Sequence, residues 1–267
     1  MEIRNNMLVG ARYTNSPNKS GPIQPRFIVQ HYTAGYTASG AISWLNNPAS
    51  SASAHVVVDY DGRVTQLVPF NIKAWHAGPS SYDGYNGMNN YSIGIEIVNA
   101  GPLVKLSDGR YKVANGDTIF NESDFENGFT ISSHPIVGSG LFYWPNYTDR
   151  QLDAVEELNK ELIDTYHIID IVSHEEIDTR GWKTDPGPAF PMARMKHLLR
   201  TFSQRGHDFD RYEITASSLN VRSGPGTEFS IIQSLVKFST VNVQEFRGNW
   251  ARISDDGWVH KSYLRRI

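Results

Sequence analysis

A mixed α/β domain, its central β-sheet flanked by helices, followed by a small all-β barrel, is the fold class that three features of this 267-residue chain predict. Over the first two hundred residues, short apolar runs with strand character alternate with segments of helical spacing. From about Arg211 the texture changes to brief alternating runs broken by R-S-G-P-G-T, K-F-S-T and R-G-N-W, and no helical period fits there. A hydrophobic content of 39% over this length can bury a core in one large domain plus a small one. The expected boundaries are 1–205 and 211–267, with the polar stretch Q-R-G-H-D-F-D-R as linker.

The first strong element is the run R-F-I-V-Q-H-Y, a strand that delivers His31 to its edge. The stretch A-S-G-A-I-S-W-L-N-N has the apolar spacing of a short helix. A-H-V-V-V-D-Y-D-G-R-V-T-Q-L-V reads as two strands about an Asp-Gly turn, because glycine accepts the positive φ such turns need. Y-S-I-G-I-E-I-V is the next strand. Between Gly101 and Pro145 the pattern weakens into Gly, Asn, Ser and Asp with scattered aromatics, which reads as loops rimming a cleft. A helix follows Thr148, which stands in capping-box spacing with Gln151 and precedes Leu152, Val155, Leu158 and Leu162 on one face. A second helix is expected after Pro191, with Met192, Met195, Leu198, Leu199 and Phe202 as its apolar positions.

Composition excludes several classes of function. No apolar run approaches the roughly 20 residues that cross a bilayer, and the start, M-E-I-R-N-N-M-L-V-G, lacks the apolar core of a signal peptide. With no cysteine, any metal must be held by His, Asp or Glu. From Arg211 onward eight basic residues face five acidic ones, a net +3 that leaves −6 for the rest of a chain totalling −3. That imbalance is too small and too dispersed for nucleic acid, whose binders carry concentrated basic faces.

Chemistry concentrates at His31, at His174 in I-V-S-H-E-E-I, and at Asp185 in K-T-D-P-G-P. Two imidazoles and one carboxylate are three ligands, and a catalytic zinc site keeps three protein ligands with the fourth position open to water. A carboxylate is a harder ligand than a thiolate, so cobalt or manganese would also be accepted. Glu96 lies within the apolar strand S-I-G-I-E-I-V, where a carboxylate is costly to bury unless it is paired or functional. Singly, His31 would read as a structural histidine, Asp185 before Pro186 as a turn former and Lys183 as a solvated charge. His134, in the weakly patterned region, is the main competing candidate for metal ligation. His55 is expected to hydrogen-bond within the sheet.

Taken together, F-I-V-Q-H-Y-T-A-G, S-A-H-V-V-V-D-Y-D-G-R-V-T-Q-L-V, A-W-H-A-G, S-I-G-I-E-I-V-N and S-H-E-E-I…K-T-D-P-G-P-A-F-P resemble, in order, the type-2 family of zinc-dependent N-acetylmuramoyl-L-alanine amidases, which shares its fold with peptidoglycan recognition proteins. The resemblance spans roughly residues 20 to 200. The tail, L-N-V-R-S-G-P-G-T…N-W-A-R-I…G-W-V-H-K-S-Y-L, is similar to bacterial SH3-like domains, which accompany wall-active enzymes. The amidase resemblance implies one Zn2+ held by His31, His174 and Asp185, Glu96 as the catalytic carboxylate, Lys183 as the cation beside the metal, and Trp75 and His76 in contact with substrate. The implied partner is peptidoglycan, cut between the lactyl group of muramic acid and L-alanine, with the tail binding the cell wall. Some relatives place Cys at the Asp185 position or use Tyr for proton handling; this chain is of the Asp and Glu kind. A non-catalytic recognition module would lack a ligand or the carboxylate, and a zinc endopeptidase would use the same groups on a bond within the stem peptide. The implied place of action is the cell wall, in the periplasm or outside the cell, although no export signal is visible.

Overall fold

Three adjacent parallel strands organise the first unit and fix where its chemistry lies. The computed structural model describes residues 1–204, 210–254 and 256–267, so most of the expected linker lies outside the described residues. The chain divides into two compact units, Met1–Leu199 and Arg200–Ile267. The central sheet of the first unit contains β1 (Arg12–Tyr13), β2 (Phe27–Tyr32), β3 (Val56–Val58), β4 (Val64–Gln66), β5 (Ser92–Ile97) and β6 (Asp170–Ser173), in the spatial order β6-β2-β5-β3-β4-β1. The pairs β6/β2, β2/β5, β5/β3 and β4/β1 are parallel and β3/β4 is antiparallel, which makes the sheet mixed.

β2 sits inside the sheet with parallel neighbours on both sides, which explains its nearly continuous apolar run, F-I-V, and the burial of every residue from Phe27 to His31. Side chains alternate between faces. Phe27 and Val29 pack with Ala77, Met88, Val172 and Ile177 on the face that also carries His31. Gln30 points the other way and donates from Nε2 to Asn159 Oδ1 at 3.0 Å. Asn159 belongs to α2 (Asp149–Tyr166), whose buried stripe includes Val155, Leu158 and Leu162, with Leu152 at its margin. Thr148 Oγ1 accepts the Gln151 amide, and the Gln151 side chain accepts the Thr148 amide, closing the capping box.

The expected short helix is α1 (Ala38–Leu45), capped by Thr37 Oγ1. The Asp-Gly turn between β3 and β4 has Gly62 at φ +81°, and a Cβ there would lie 2.7 Å from the Arg150 carbonyl oxygen, so the position admits glycine alone. The helix expected after Pro191 is α4 (Met192–Gln204), which follows the short α3 (His174–Ile177), and buries Met195 and Leu198. The Phe202 side chain lies outside the described residues.

The stretch from Gly101 to Pro145 differs from the expected loops. It forms a five-stranded antiparallel sheet of Ile119–Phe120, Tyr111–Val113, Leu103–Lys105, Gly138–Pro145 and Phe129–His134, in that spatial order. Its core is Leu103, Tyr111 and Phe120 with Phe125, Phe129 and Tyr143 packed against it. Each strand is short, and Leu103–Lys105 pairs with a strand about forty residues further on, a partnership that local patterning does not reveal.

Beyond the end of α4, the described residues of the second unit, from Asp210 on, form β-sheets, as expected. Thr240–Val243, Asp210–Ile214 and Leu264–Arg266 form one sheet, and Ile231–Val236, Ser218–Arg222, Gly257–His260, Trp250–Ser254 and Glu245–Arg247 form another. Ile214, Leu219, Val221, Val243, Ala251 and Val259 make its core. Of the tail aromatics, Trp258 is buried and Tyr263 is exposed.

Candidate metal centre

The parallel arrangement of β6, β2 and β5 brings their carboxyl ends together, the edge at which open α/β sheets place their ligands. His31 is the fifth residue of β2, and Glu96 stands directly beside it in the register of β5. The polypeptide leaves β6 at Ser173, whose Oγ caps α3 by accepting the Glu176 amide, so His174 occupies the first helical position next to His31. Asp185 arrives on the following loop. That loop is pinned by the Glu175 amide donating to the Asp185 carbonyl at 3.1 Å, by Tyr147 Oη donating to the Pro186 carbonyl at 2.7 Å, and by contact between Tyr32 Oη and Thr184 Oγ1. Gly187 has φ +78°, and a Cβ there would meet the Trp144 ring at 2.8 Å, which accounts for the glycine of T-D-P-G.

These elements converge three donor atoms. His31 Nδ1 and His174 Nδ1 are 3.0 Å apart, and each lies 2.9 Å from Asp185 Oδ2. Among the described residues this is the one group of His and acidic side chains with metal-binding spacing, and all three members are buried. Donors about 2.0–2.1 Å from a tetrahedral ion sit roughly 3.3 Å from one another, so a small outward spread of the three side chains would accommodate one. Burial lowers the His31 pKa to about 4, with His174 and Lys183 adding to the effect against Asp185, so its imidazole is neutral near pH 7. Burial opposes ionisation of Asp185, but the two imidazoles outweigh it and hold the carboxyl well below its usual range. Two imidazole nitrogens and one carboxylate oxygen, all within 3.0 Å of one another, suit a divalent cation.

Glu96 has its Oε2 buried without a hydrogen-bond partner. Desolvation raises its pKa well above 4.5, the negative charge of Asp185 adds to this, and Lys183 opposes it. Glu96, His174, Lys183 and Asp185 line one cavity of about 680 Å³, in the size range of small-molecule sites, and Trp75 and His76 are part of its wall. Trp75 donates from Nε1 to Ser20 Oγ at 3.1 Å. His76, expected against substrate, is only 8% exposed, and both its ring nitrogens already face protein atoms: Nδ1 lies 3.0 Å from His31 Nε2, and Nε2 faces Ser92.

His134, the competing ligand candidate, stands apart from this group, with Nε2 3.2 Å from a Glu175 carboxylate oxygen and its ring against Trp144. Sequence reasoning did not single out Trp44 and Trp182, which also line the cavity and are 60% and 61% exposed. A large aromatic left in water beside the chemical residues is the signal, but it is visible only once exposure is known.

His55 is enclosed in the sheet, as expected: Nε2 donates to the Ile72 carbonyl at 2.9 Å and Nδ1 accepts the Gly94 amide at 3.0 Å. Burial lowers its pKa from 6.5 to about 4. The unfolded chain therefore takes up this proton at higher pH than the folded one, and the stability due to neutral His55 is complete above pH 6.5 and lost as pH falls toward 4. About 3 kcal/mol is expected to go from this residue alone. Denaturant unfolding in chelator between pH 7 and 4 should show a shallower decline for His55→Gln than for the parent; parallel curves would contradict it.

Comparison with known proteins follows the same division of the chain. Residues 21–188 match the N-acetylmuramoyl-L-alanine amidase family and residues 217–265 match the bacterial SH3 domain family. The 1,6-anhydro-N-acetylmuramyl-L-alanine amidase AmpD of Escherichia coli K12 is 31% identical over 149 residues, which is 55% of this chain and 58% of that protein. AmpD of Enterobacter cloacae is 27% identical over 227 residues, covering 77% of this chain and 98% of its own length. The chain thus spans less than two thirds of the Escherichia coli relative. A solved selenomethionine derivative of AmpD superposes with a TM-score of 0.52 at 24% identity, over 74% of this chain and 99% of that one, a likeness of fold.

Proposed function

The chain belongs to the N-acetylmuramoyl-L-alanine amidase family, and from that membership we propose that it is a zinc-dependent hydrolase of peptidoglycan, cutting the amide between the lactyl group of N-acetylmuramic acid and L-alanine of the stem peptide. The observation that carries the reading is the juxtaposition of His31, His174 and Asp185 with the unpaired carboxyl oxygen of Glu96 at the wall of one cavity. When bound by those three residues, zinc would supply Lewis acidity, lowering the pKa of a water and polarising the scissile carbonyl.

The chain's own residues do the rest. Glu96 takes the proton of the attacking water and returns it to the departing amine, a double role suited to a carboxyl whose pKa burial raises above its ordinary value. Lys183, on the same wall, places its ammonium against the oxygen that gains negative charge. Trp75 contributes a flat apolar surface to the substrate wall. All three donors and Glu96 are retained, which favours catalysis over recognition without turnover.

In this reading residues 1–205 are the catalytic domain, and residues 211–267 hold the enzyme on the cell wall, its place of action. Among the described residues no helix is long and apolar enough to cross a membrane. Solubilisation of purified peptidoglycan should stop on treatment with a chelator and return on addition of zinc. Activity that survives exhaustive chelation would contradict the metal dependence.

A further inference from the structure

The short segment Trp75–Gly78 lies behind both histidines and governs how each of them faces the metal position. His174 Nε2 lies 3.3 Å from the carbonyl oxygen of Ala77, which can only accept, so Nε2 carries the proton and Nδ1 presents a lone pair. His31 reaches the same state by a longer route. Its Nε2 lies 3.0 Å from His76 Nδ1. His76 Nε2 in turn faces the carbonyl oxygen of Ser92 at 3.4 Å and its hydroxyl at 3.2 Å. The hydroxyl proton is committed elsewhere, because Ser92 Oγ donates to the Met88 carbonyl at 2.6 Å. Both oxygens before His76 Nε2 therefore accept, that nitrogen holds the proton, and His76 Nδ1 is left as an acceptor. His31 Nε2 must then donate to it, and His31 Nδ1 is free.

We infer that His76 is a positioning residue of the metal centre: anchored by Ser92, it holds His31 in the tautomer and orientation whose Nδ1 points at the metal. This rests on the metal-dependent reading of the site and assigns His76 to the outer shell of that centre in place of substrate contact. Such partners orient ligating imidazoles and raise their basicity.

The surroundings of His76 are built to hold the ring still. A Cβ on Gly94 would lie 2.5 Å from His76 Cγ, so glycine at this position of β5 is what lets the imidazole lie flat on the strand. The backbone is clamped as well: Asn89 Oδ1 accepts the amides of both His76, at 3.0 Å, and Ala77, at 2.8 Å. One four-residue turn thus serves both histidines, with a side chain for His31 and a carbonyl for His174.

The test uses the full chain and has two readouts besides activity. Long-range 1H–15N correlation spectra of the metal-free protein should show His31 protonated at Nε2, and His76→Phe should convert it to a mixture of tautomers. Competition with a chromophoric chelator should show zinc binding weakened by about 10–100-fold in His76→Phe. His76→Gln, whose side-chain oxygen can accept from His31, should recover most of the loss. Gly94→Ala, which displaces the ring while leaving it in the sequence, should weaken binding in the same direction. A wild-type spectrum with His31 protonated at Nδ1 would overturn the inference without recourse to any variant, as would a folded His76→Phe protein with unchanged zinc affinity. A wild-type protein that binds no zinc would overturn the metal-dependent reading instead, while the tautomer in the metal-free protein would still decide the role of His76.

Discussion

Glu96→Gln is expected to lower turnover by about 10²–10⁴-fold, the contribution of a positioned general acid–base, while zinc affinity stays within a few-fold of the parent. The amide keeps the shape of the carboxyl but cannot shuttle a proton. Glu96 is outside the donor set, and its Oε2 has no partner that the substitution would strand. The same observation predicts a second effect of opposite sign. A carboxyl held in a desolvated place near the charge of Asp185 is a stability liability, so the variant should unfold at the same temperature as the parent or a higher one. Loss of activity with retained zinc and retained or raised Tm would separate a chemical role from a structural one. Retained turnover would remove Glu96 from the mechanism.

Asp185→Ala acts on the other half of the centre. It removes the only anion of the donor set and leaves two imidazoles whose Nδ1 atoms face each other at 3.0 Å. Zinc affinity is expected to fall by at least about 100-fold, since even outer partners of metal ligands are worth 10–100-fold. Binding to the native state alone stabilises by about 2.7 kcal/mol when free metal is 100-fold above Kd. Zinc should therefore raise the Tm of the parent clearly at a concentration where it leaves Asp185→Ala unmoved. An equal shift in both proteins would place the ion elsewhere.

How much of this was legible in the sequence depends on how local each cause is. The strand that carries His31 near its end, the Asp-Gly hairpin around Gly62 and the Thr148–Gln151 capping box are written in neighbouring residues, and the structure has each of them. The alternation of small and polar residues with isoleucine in S-I-G-I-E-I has a meaning the sequence does not disclose: Ser92, Gly94 and Glu96 share one face of β5, and the first two seat His76. The approach of His31 to His174 across 143 positions follows from β6 pairing with β2, a choice made by the whole sheet. For the same reason the antiparallel sheet between Leu103 and Pro145 reads as loops when taken residue by residue. Its strands are held by the stacking of Tyr111 on Phe129 and the edge contact of Phe129 with Tyr143, which only the folded chain brings together. His76 does line the cavity, as its place beside Trp75 suggests, but the partners of its ring, His31 and Ser92, are distant in sequence and not legible there.

The proposed reaction breaks one bond, and mass spectrometry of purified peptidoglycan digested by the protein reads that bond directly. With zinc present, released stem peptides with a new amino-terminal L-alanine are expected while the glycan strands stay intact, with no release after chelation and release slowed by about 10²–10⁴-fold in Glu96→Gln. Fragments cut within the stem peptide would make the protein an endopeptidase, and binding to the wall without any product would make it a recognition protein; either result would contradict the account.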